Sequence, residues 1–290
     1  MSTANNIVVE NRDTWLVLQG NEVNRDDIRE IAELTRAKSI RRVTPNVFKL
    51  RGSKPHPQLE SRCRDACLDH AFVPGDIKLA YFKLVAMDMD STLINIESLD
   101  EIADFLGLKN QIAAITERSM NGEIDFNESL RYRVALLKGL DASALDRVYD
   151  ERLKLNPGAE TFIATLHRHG IKTMLVSGGF TFFTERLKRR LGLNFAYGNE
   201  LEIVDGKLTG AMRGPLLDPQ GKAEKLRATS QALGISVAGQ VIAIGDGAND
   251  RAMFDAAGTG IAYHAKAVLR SHARYCIDHV GLDGILNLFS

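Results

Sequence analysis

Hydrophobic period changes several times along the first part of the chain. Trp15–Gly20 (WLVLQG) reads as a strand, and the run from Asn24 to about Ala37 sets Ile28, Ile31 and Leu34 on one helical face. Two extended pieces, Ile40–Val43 and Val47–Leu50, are separated by Pro45-Asn46, a pair that favours a turn. A second helix is predicted from about Pro57 to Asp69, and Val73–Asp76 reads as a linker. Strand, helix, two strands and helix make most of a split βαβ outline. Residues 1–78 are therefore expected to form a small α+β domain, ferredoxin-like or ACT-like.

From Tyr81 the pattern becomes an alternation of strand and helix. Phe82–Met87, Lys172–Val176 and Val241–Ile244 are nearly continuous apolar runs, as in strands buried on both faces of a parallel sheet. Asn156-Pro157 offers a cap followed by a first-turn proline, opening a helix that stops at Gly170. Glu200–Val204 and Lys207–Ala211 read as a hairpin through Asp205-Gly206. Residues 79–290 are thus predicted to be α/β, a doubly wound, mainly parallel Rossmann-like sheet. One stretch, from about 92 to 154, breaks the alternation with helical pieces only: Ser98–Leu106, Asn110–Met120, Phe126–Leu137 and Ala142–Lys154. It follows the first core strand directly and is expected to form a helical cap over that strand's carboxyl end.

Composition narrows the function classes. With 290 residues, 44% hydrophobic and 26% charged, the chain is long enough for two packed cores. The 37 basic and 37 acidic residues cancel, which argues against a global pull toward nucleic acid or an anionic membrane. Arg186–Arg190 (RLKRR) reads as one exposed helix face. No apolar run reaches the ~18 residues of a membrane span, and MSTANNIVVE lacks the pattern of a signal peptide. Cys63, Cys67 and Cys276 are too few for a disulfide scaffold; the first two are expected on one helix face, with no partners at metal spacing. A cytoplasmic protein with reduced thiols is expected.

In an open parallel sheet, ligands bind beyond the carboxyl ends of the strands. Here the three apolar strands run into Asp88-Met89-Asp90-Ser91-Thr92, Ser177-Gly178-Gly179 and Gly245-Asp246-Gly247-Ala248-Asn249-Asp250. Four carboxylates on one edge repel one another unless a cation or proton intervenes. Hard oxygen ligands select a divalent ion, and magnesium suits a site that also handles phosphate. Taken singly, each acidic loop reads better as a turn with a capping Asp. Alone, Lys222 reads as the exposed start of a helix, Asn249 as a cap, and Glu97 and Arg133 as helix-surface charges. Coincidence at three strand ends favours chemistry.

The same strings carry a family resemblance, from about residue 83 to the C-terminus. DMDST resembles the DxDxT nucleophile motif of the haloacid dehalogenase-like superfamily, GDGAND resembles its acidic metal motif, and Ser177 and Lys222 match the two motifs between. DMDSTLINIE, MNGEIDFNESLRYRV, VSGGF and GDGANDRAMF resemble the branch of it that hydrolyses O-phosphoserine. The resemblance implies Asp88 as nucleophile and Asp90 as acid, then base. It implies Mg2+ on Asp88, the Asp90 backbone carbonyl and Asp246, with Asp250 supporting the metal from behind. Ser177, the Gly178 amide, Lys222 and Asn249 would surround the phosphoryl group. Glu97 would bind the substrate ammonium, Arg133 its carboxylate, and Met120 and Phe126 would form an apolar wall, while Arg131 stays solvated. The implied activity is a magnesium-dependent phosphomonoesterase for a small molecule, O-phosphoserine, at the last step of serine formation. Two alternatives stand beside it: a phosphatase or phosphotransferase for another small phosphorylated amine or acid, and an amino-acid-sensing regulator built on residues 1–78. A homodimer is compatible with all three, and no nucleic-acid or membrane partner is expected.

Overall fold

The computed structural model describes residues 14–75 and 77–289. They cluster into two units, one running to Leu79 and taking in the chain from Gly284 onward, the other spanning Ala80–Asp283. The sequence reading runs the larger unit to residue 290; the structure groups the last segment with the smaller one.

The smaller unit is built from β1 (Thr14–Gln19), α1 (Arg25–Leu34), β2 (Ser39–Thr44), β3 (Val47–Arg51), α2 (Leu59–Asp65) and β4 (Asp69–Pro74). Its antiparallel sheet has the order β2-β3-β1-β4, the ferredoxin-like arrangement. Period-two alternation turns Leu16 and Leu18 of β1 into a core with Ile28, Ile31, Phe48 and Leu50. Asn24 caps α1 by accepting from the Asp26 amide at 3.0 Å. β4 corrects the prediction of a helix to Asp69 and a linker from Val73. α2 stops at Asp65, and Asp69–Pro74 pairs with β1 as an edge strand, where a terminal proline is tolerated. Asp76 of the expected linker lies outside the described residues. The early stop also puts Cys67 in the turn after the helix, exposed, while Cys63 is buried, so the two do not share a helix face.

The larger unit begins its sheet with β5 (Leu84–Met87), every residue of it buried. The helical insert follows: α3 (Ser98–Asp104), α4 (Lys109–Met120), α5 (Phe126–Ala135), α6 (Ser143–Arg147) and a wide turn, Val148–Arg152. Strands and helices then alternate through α7 (Ala159–Arg168), β6 (Lys172–Phe180), α8 (Thr181–Leu191), β7 (Phe195–Val204), β8 (Lys207–Arg213), α9 (Pro219–Ala232), α10 (Val237–Gln240), β9 (Val241–Gly245), α11 (Arg251–Ala257), β10 (Thr259–Tyr263) and β11 (Tyr275–Ile277). The seven-stranded sheet has the order β11-β10-β9-β5-β6-β7-β8, parallel except for the β7–β8 hairpin. β10 and β11 are absent from the sequence reading, because strands this short, one opening Thr-Gly, carry too little periodicity. β7 begins at Phe195 rather than Glu200, and β6 continues past Val176 through Ser177-Gly178-Gly179 to Phe180. Among the described residues, no helix is long and apolar enough to cross a membrane.

The stems of the insert are fastened together beside β5. Ile94 bridges Leu155, the Asn95 amide donates to the Lys154 carbonyl at 3.0 Å, and the Lys154 amide donates to Asn95 Oδ1 at 3.0 Å. Asn156 adds the main staple: its Nδ2 donates to the carbonyls of Thr92 (2.8 Å), Ile94 (3.1 Å) and Ser91 (3.4 Å). Asn156→Ala leaves those carbonyls short of a donor and is expected to destabilise the protein by about 1–3 kcal/mol. Urea denaturation checks this; an unchanged midpoint would refute the staple.

Candidate active site

Sheet register brings the three polar tips together. Met87 pairs with Ile244 on one side and Leu175 on the other, so the polar segments that follow on the three strands lie at the same edge of the sheet. The Asp88 amide continues this register by donating to the Ile244 carbonyl at 3.0 Å. β5 lies where the strand order reverses, with β6 on one side and β9 on the other, the position at which open α/β sheets bind ligands.

Lys222 is at the centre of the charge arrangement. Asp218 caps α9 by accepting from the Gly221 amide, and Lys222 stands in the following turn, fully buried. Its Nζ lies 2.9 Å from Asp88 Oδ2 and 2.9 Å from Asp250 Oδ1. Burial disfavours the ammonium, but Asp250 and Asp88 outweigh it and hold Lys222 above the ordinary lysine range. Read alone, this lysine is an exposed helix start; the structure gives it no solvent contact, because two carboxylates draw it inward.

The remaining carboxylates differ in what they have left to offer. Asp250 Oδ1 accepts from Lys222, and its Oδ2 accepts from the amides of Asp246 (3.1 Å) and Gly247 (3.4 Å). That approach requires Gly245, since a Cβ there would fall 2.2 Å from Asp250 Oδ2. Asp246 receives only a long hydrogen bond from Thr92 Oγ1, at 3.4 Å, and no ion pair among the described residues. Burial, then Asp250 and Asp88, push its carboxyl well above the usual range. Oxygens of Asp88, Asp246 and Asp250 all lie within 4.8 Å of one another. One ammonium does not balance this buried set, and a hard cation fits it. Asp246 has the freest oxygens; Asp88 accepts from the Met89 amide, Lys222 and Asn249, and Asp250 from Lys222 and two amides of its own loop, which it supports.

Asp90 is held differently. Its Oδ1 accepts from the Ser98 amide at 2.9 Å and its Oδ2 from Ser98 Oγ at 3.1 Å. Burial first, and Asp88 second, push its carboxyl up to about 7. A proton is therefore available there near neutrality. Gly179 leaves it room, because a Cβ at that residue would lie 2.8 Å from Asp90 Oδ2. Ser91, with a left-handed φ of 54°, turns the chain so that its Oγ donates to Glu97 Oε1 at 2.7 Å. Burial and the neighbouring Asp90 and Asp246 raise the Glu97 carboxyl well above its usual range.

Asp88, Asp90, Glu97, Met120, Phe126, Arg133, Ser177, Gly178, Asp246 and Asn249 line one pocket, joined by Leu99, Leu130, Gly179 and Phe180. Of the sequence-predicted residues, only Lys222 and Asp250 do not line it. Asn249 Nδ2 donates to Asp88 Oδ2 at 3.3 Å, and Ser177 Oγ accepts from the Gly179 amide at 2.9 Å. Phe126 packs on Gly178 so tightly that a Cβ there would lie 2.6 Å from its Cζ. Arg133 is buried and Arg131 exposed, as expected of that pair. Sequence reasoning misses Ser98 and Ser91, which fix Asp90 and Glu97. It also misses buried Asn199, whose Nδ2 donates to the Gly178 carbonyl at 2.8 Å while its Oδ1 accepts from the Leu217 amide at 2.7 Å. The only signal at Asn199 is a polar residue inside a strand, which becomes informative once its neighbours are known.

Residues 85–255 match the family model of the haloacid dehalogenase-like hydrolases. The chain belongs to that family. Residues 16–60 match a separate domain of unknown function. A phosphoserine phosphatase of Polaromonas sp. is 52% identical over 218 residues, covering 73% of this chain and 92% of that protein. Among solved structures, a HAD-family hydrolase of Salmonella enterica serovar Typhi superposes with a TM-score of 0.84 at 32% identity, covering 96% of this chain and 98% of that one. A substrate-bound phosphoserine phosphatase complex gives 0.69 at 39% identity, covering 72% and 99%. For this haloacid dehalogenase-like hydrolase, the cation test is thermodynamic. Adding a divalent cation at constant ionic strength should raise the thermal midpoint, by the equivalent of about 2.7 kcal/mol at a hundred times its Kd. Asp246→Asn should remove the rise; an equal rise in both proteins would refute the site.

Proposed function

We propose that the chain is a magnesium-dependent phosphoserine phosphatase, hydrolysing O-phospho-L-serine to serine and phosphate through an aspartyl-phosphate. The observation that carries the reading is the charge inventory of one pocket. Beside the acidic loops stand one buried guanidinium, Arg133, and one carboxylate, Glu97. Phosphoserine carries the complementary charges, an ammonium nitrogen and a carboxylate carbon each three bonds from its phosphate-bearing oxygen. A planar guanidinium pairs with a carboxylate bidentately. The likeness to relatives named phosphoserine phosphatase supports the same substrate.

Asp88 attacks phosphorus in line and is phosphorylated, its new O–P bond forming as the bond from phosphorus to the serine oxygen breaks, which divides one difficult displacement into two easier ones. Lys222, already paired with Asp88, offsets the charge between the attacking carboxylate and the incoming dianion. Ser177 Oγ and the Gly178 amide donate to phosphoryl oxygens. Asp90 gives its proton to the departing serine oxygen, then takes one from the water that hydrolyses the aspartyl-phosphate. Asn249 steadies Asp88 through the hydrogen bond described above. Asp88, the Asp90 main-chain carbonyl and Asp246 would hold Mg2+, which when bound supplies charge neutralisation and orientation of the phosphate. Phe126 and Met120 wall the pocket and exclude water from it. Three cysteines with no disulfide among the described residues suit a reducing compartment, the cytoplasm.

Asp88→Asn should lower phosphate release from O-phosphoserine by more than about a thousand-fold with an unchanged circular dichroism spectrum. Normal turnover in that variant would remove Asp88 from the nucleophile role. On a panel of small phosphomonoesters, O-phosphoserine should give the highest kcat/KM; a higher value for an ester lacking either the amine or the carboxylate would refute the substrate assignment.

A further inference from the structure

We infer that Thr116 and Asp100 are positioning residues for Arg133, a relay that presets the guanidinium for the substrate carboxylate. The inference rests on the reading of Arg133 as the carboxylate ligand. Arg133, Thr116 and Asp100 come from three successive helices of the insert, α5, α4 and α3, and are 3%, 3% and 6% exposed. Arg133 Nε donates to the Ser129 carbonyl of its own helix at 3.3 Å, and Nη1 donates to Thr116 Oγ1 at 2.8 Å. Thr116 Oγ1 in turn donates to Asp100 Oδ1 at 2.7 Å; its other acceptor, the Ile112 carbonyl, is farther at 3.1 Å.

The chemistry of each group explains the order. A buried guanidinium needs an anion near it whenever the pocket holds no substrate. Asp100 in direct bidentate contact would meet that need, but it would occupy the face that the substrate carboxylate takes. The hydroxyl between them separates the two requirements. Thr116 has one proton to give, and Asp100 receives it, so the lone pairs of Thr116 Oγ1 are turned toward Arg133. The negative charge reaches Arg133 through a polarised hydroxyl, and the rest of the fork stays free. Only two of the five guanidinium N–H groups are used by Ser129 and Thr116. Fixing the long side chain in advance also removes most of the ~2 kcal/mol rotamer entropy that it would otherwise lose on binding.

The test uses the full chain and measures serine release. Thr116→Val and Asp100→Asn should each raise KM for O-phosphoserine about ten-fold, the scale of one hydrogen bond to a charged group, with kcat falling less than about three-fold. The inhibition constant of inorganic phosphate, which needs none of the insert's charges, should stay within about two-fold of wild type in both variants. Thr116→Ser keeps the hydroxyl and should keep the wild-type KM. Equal weakening of phosphoserine and phosphate, or an unchanged KM in Thr116→Val or Asp100→Asn, overturns the relay. Arg133→Gln separates the two levels. If it leaves KM for phosphoserine unchanged, the carboxylate reading itself fails; if KM rises there but not in Thr116→Val, only the relay fails.

Discussion

A lysine ammonium with no solvent exposure, shared by two carboxylates, is the constraint on which this site depends. Lys222 is 2.9 Å from both Asp88 and Asp250, and together they make an excess of negative charge inside the sheet edge. Burial alone would neutralise such groups, and the upward shifts of Asp246 and Asp250 express that pressure. Partners from separate parts of the chain resist it. β5 supplies Asp88, the loop after β9 supplies Asp246 and Asp250, and α9 supplies Lys222. Placing a cation in the first turn of a helix opposes the helix dipole by about 0.3–1 kcal/mol, and Asp218 at the cap offsets part of this. An ordinary surface lysine would gain nothing from that position.

Two kinds of information were unequally legible in the sequence. The three central strands stand out because parallel strands buried on both faces read as unbroken apolar runs, and the residues after them are the site. β4, β10 and β11 do not, because a short edge strand carrying Pro74, a strand opening on Thr259-Gly260 and a three-residue strand lack a period to read. Side chains that touch the reacting groups were found through motif strings. Those acting one contact further out, Ser98, Asn199, Thr116 and Asp100, were not. A polar residue in a helix or strand looks the same in sequence whether it meets water or a buried partner. Their meaning exists only after packing.

Division of labour between the two parts of the larger unit follows from their architecture. In the proposed reading the buried sheet edge carries the groups that would act on any phosphate: Asp88, Ser177, Gly178, Lys222, Asp246 and Asn249. In the same reading the insert carries the groups that would distinguish one phosphate ester from another: Arg133, Met120 and Phe126. Phe126 is where they meet most closely, packed on Gly178 with no space for a Cβ. Change in the insert can therefore alter what is bound without disturbing the displacement chemistry, which is how one fold serves many substrates.

Glu97 and Asp90 make that division incomplete, and the reason lies in chain distance. Residues 88–98 include Asp88, Asp90 and Glu97, in the proposed reading the nucleophile, the acid and the ammonium ligand, together with the serines that orient two of them. Ser91 donates to Glu97 and Ser98 holds Asp90 through two hydrogen bonds, so each of these carboxylates is fixed by a residue next to the other. Asn156 then fastens the carbonyls of Ser91, Thr92 and Ile94 to the returning stem of the insert. A displacement of the insert that moves Glu97 must act on the loop that carries Asp90, because the two share a single tightly bonded turn. If Glu97 binds the substrate ammonium as proposed, its placement is linked through this turn to that of Asp90. In the proposed reading an ester without an ammonium would lack a contact on this shared turn, so selectivity against it would include a share of the catalytic step as well as of binding.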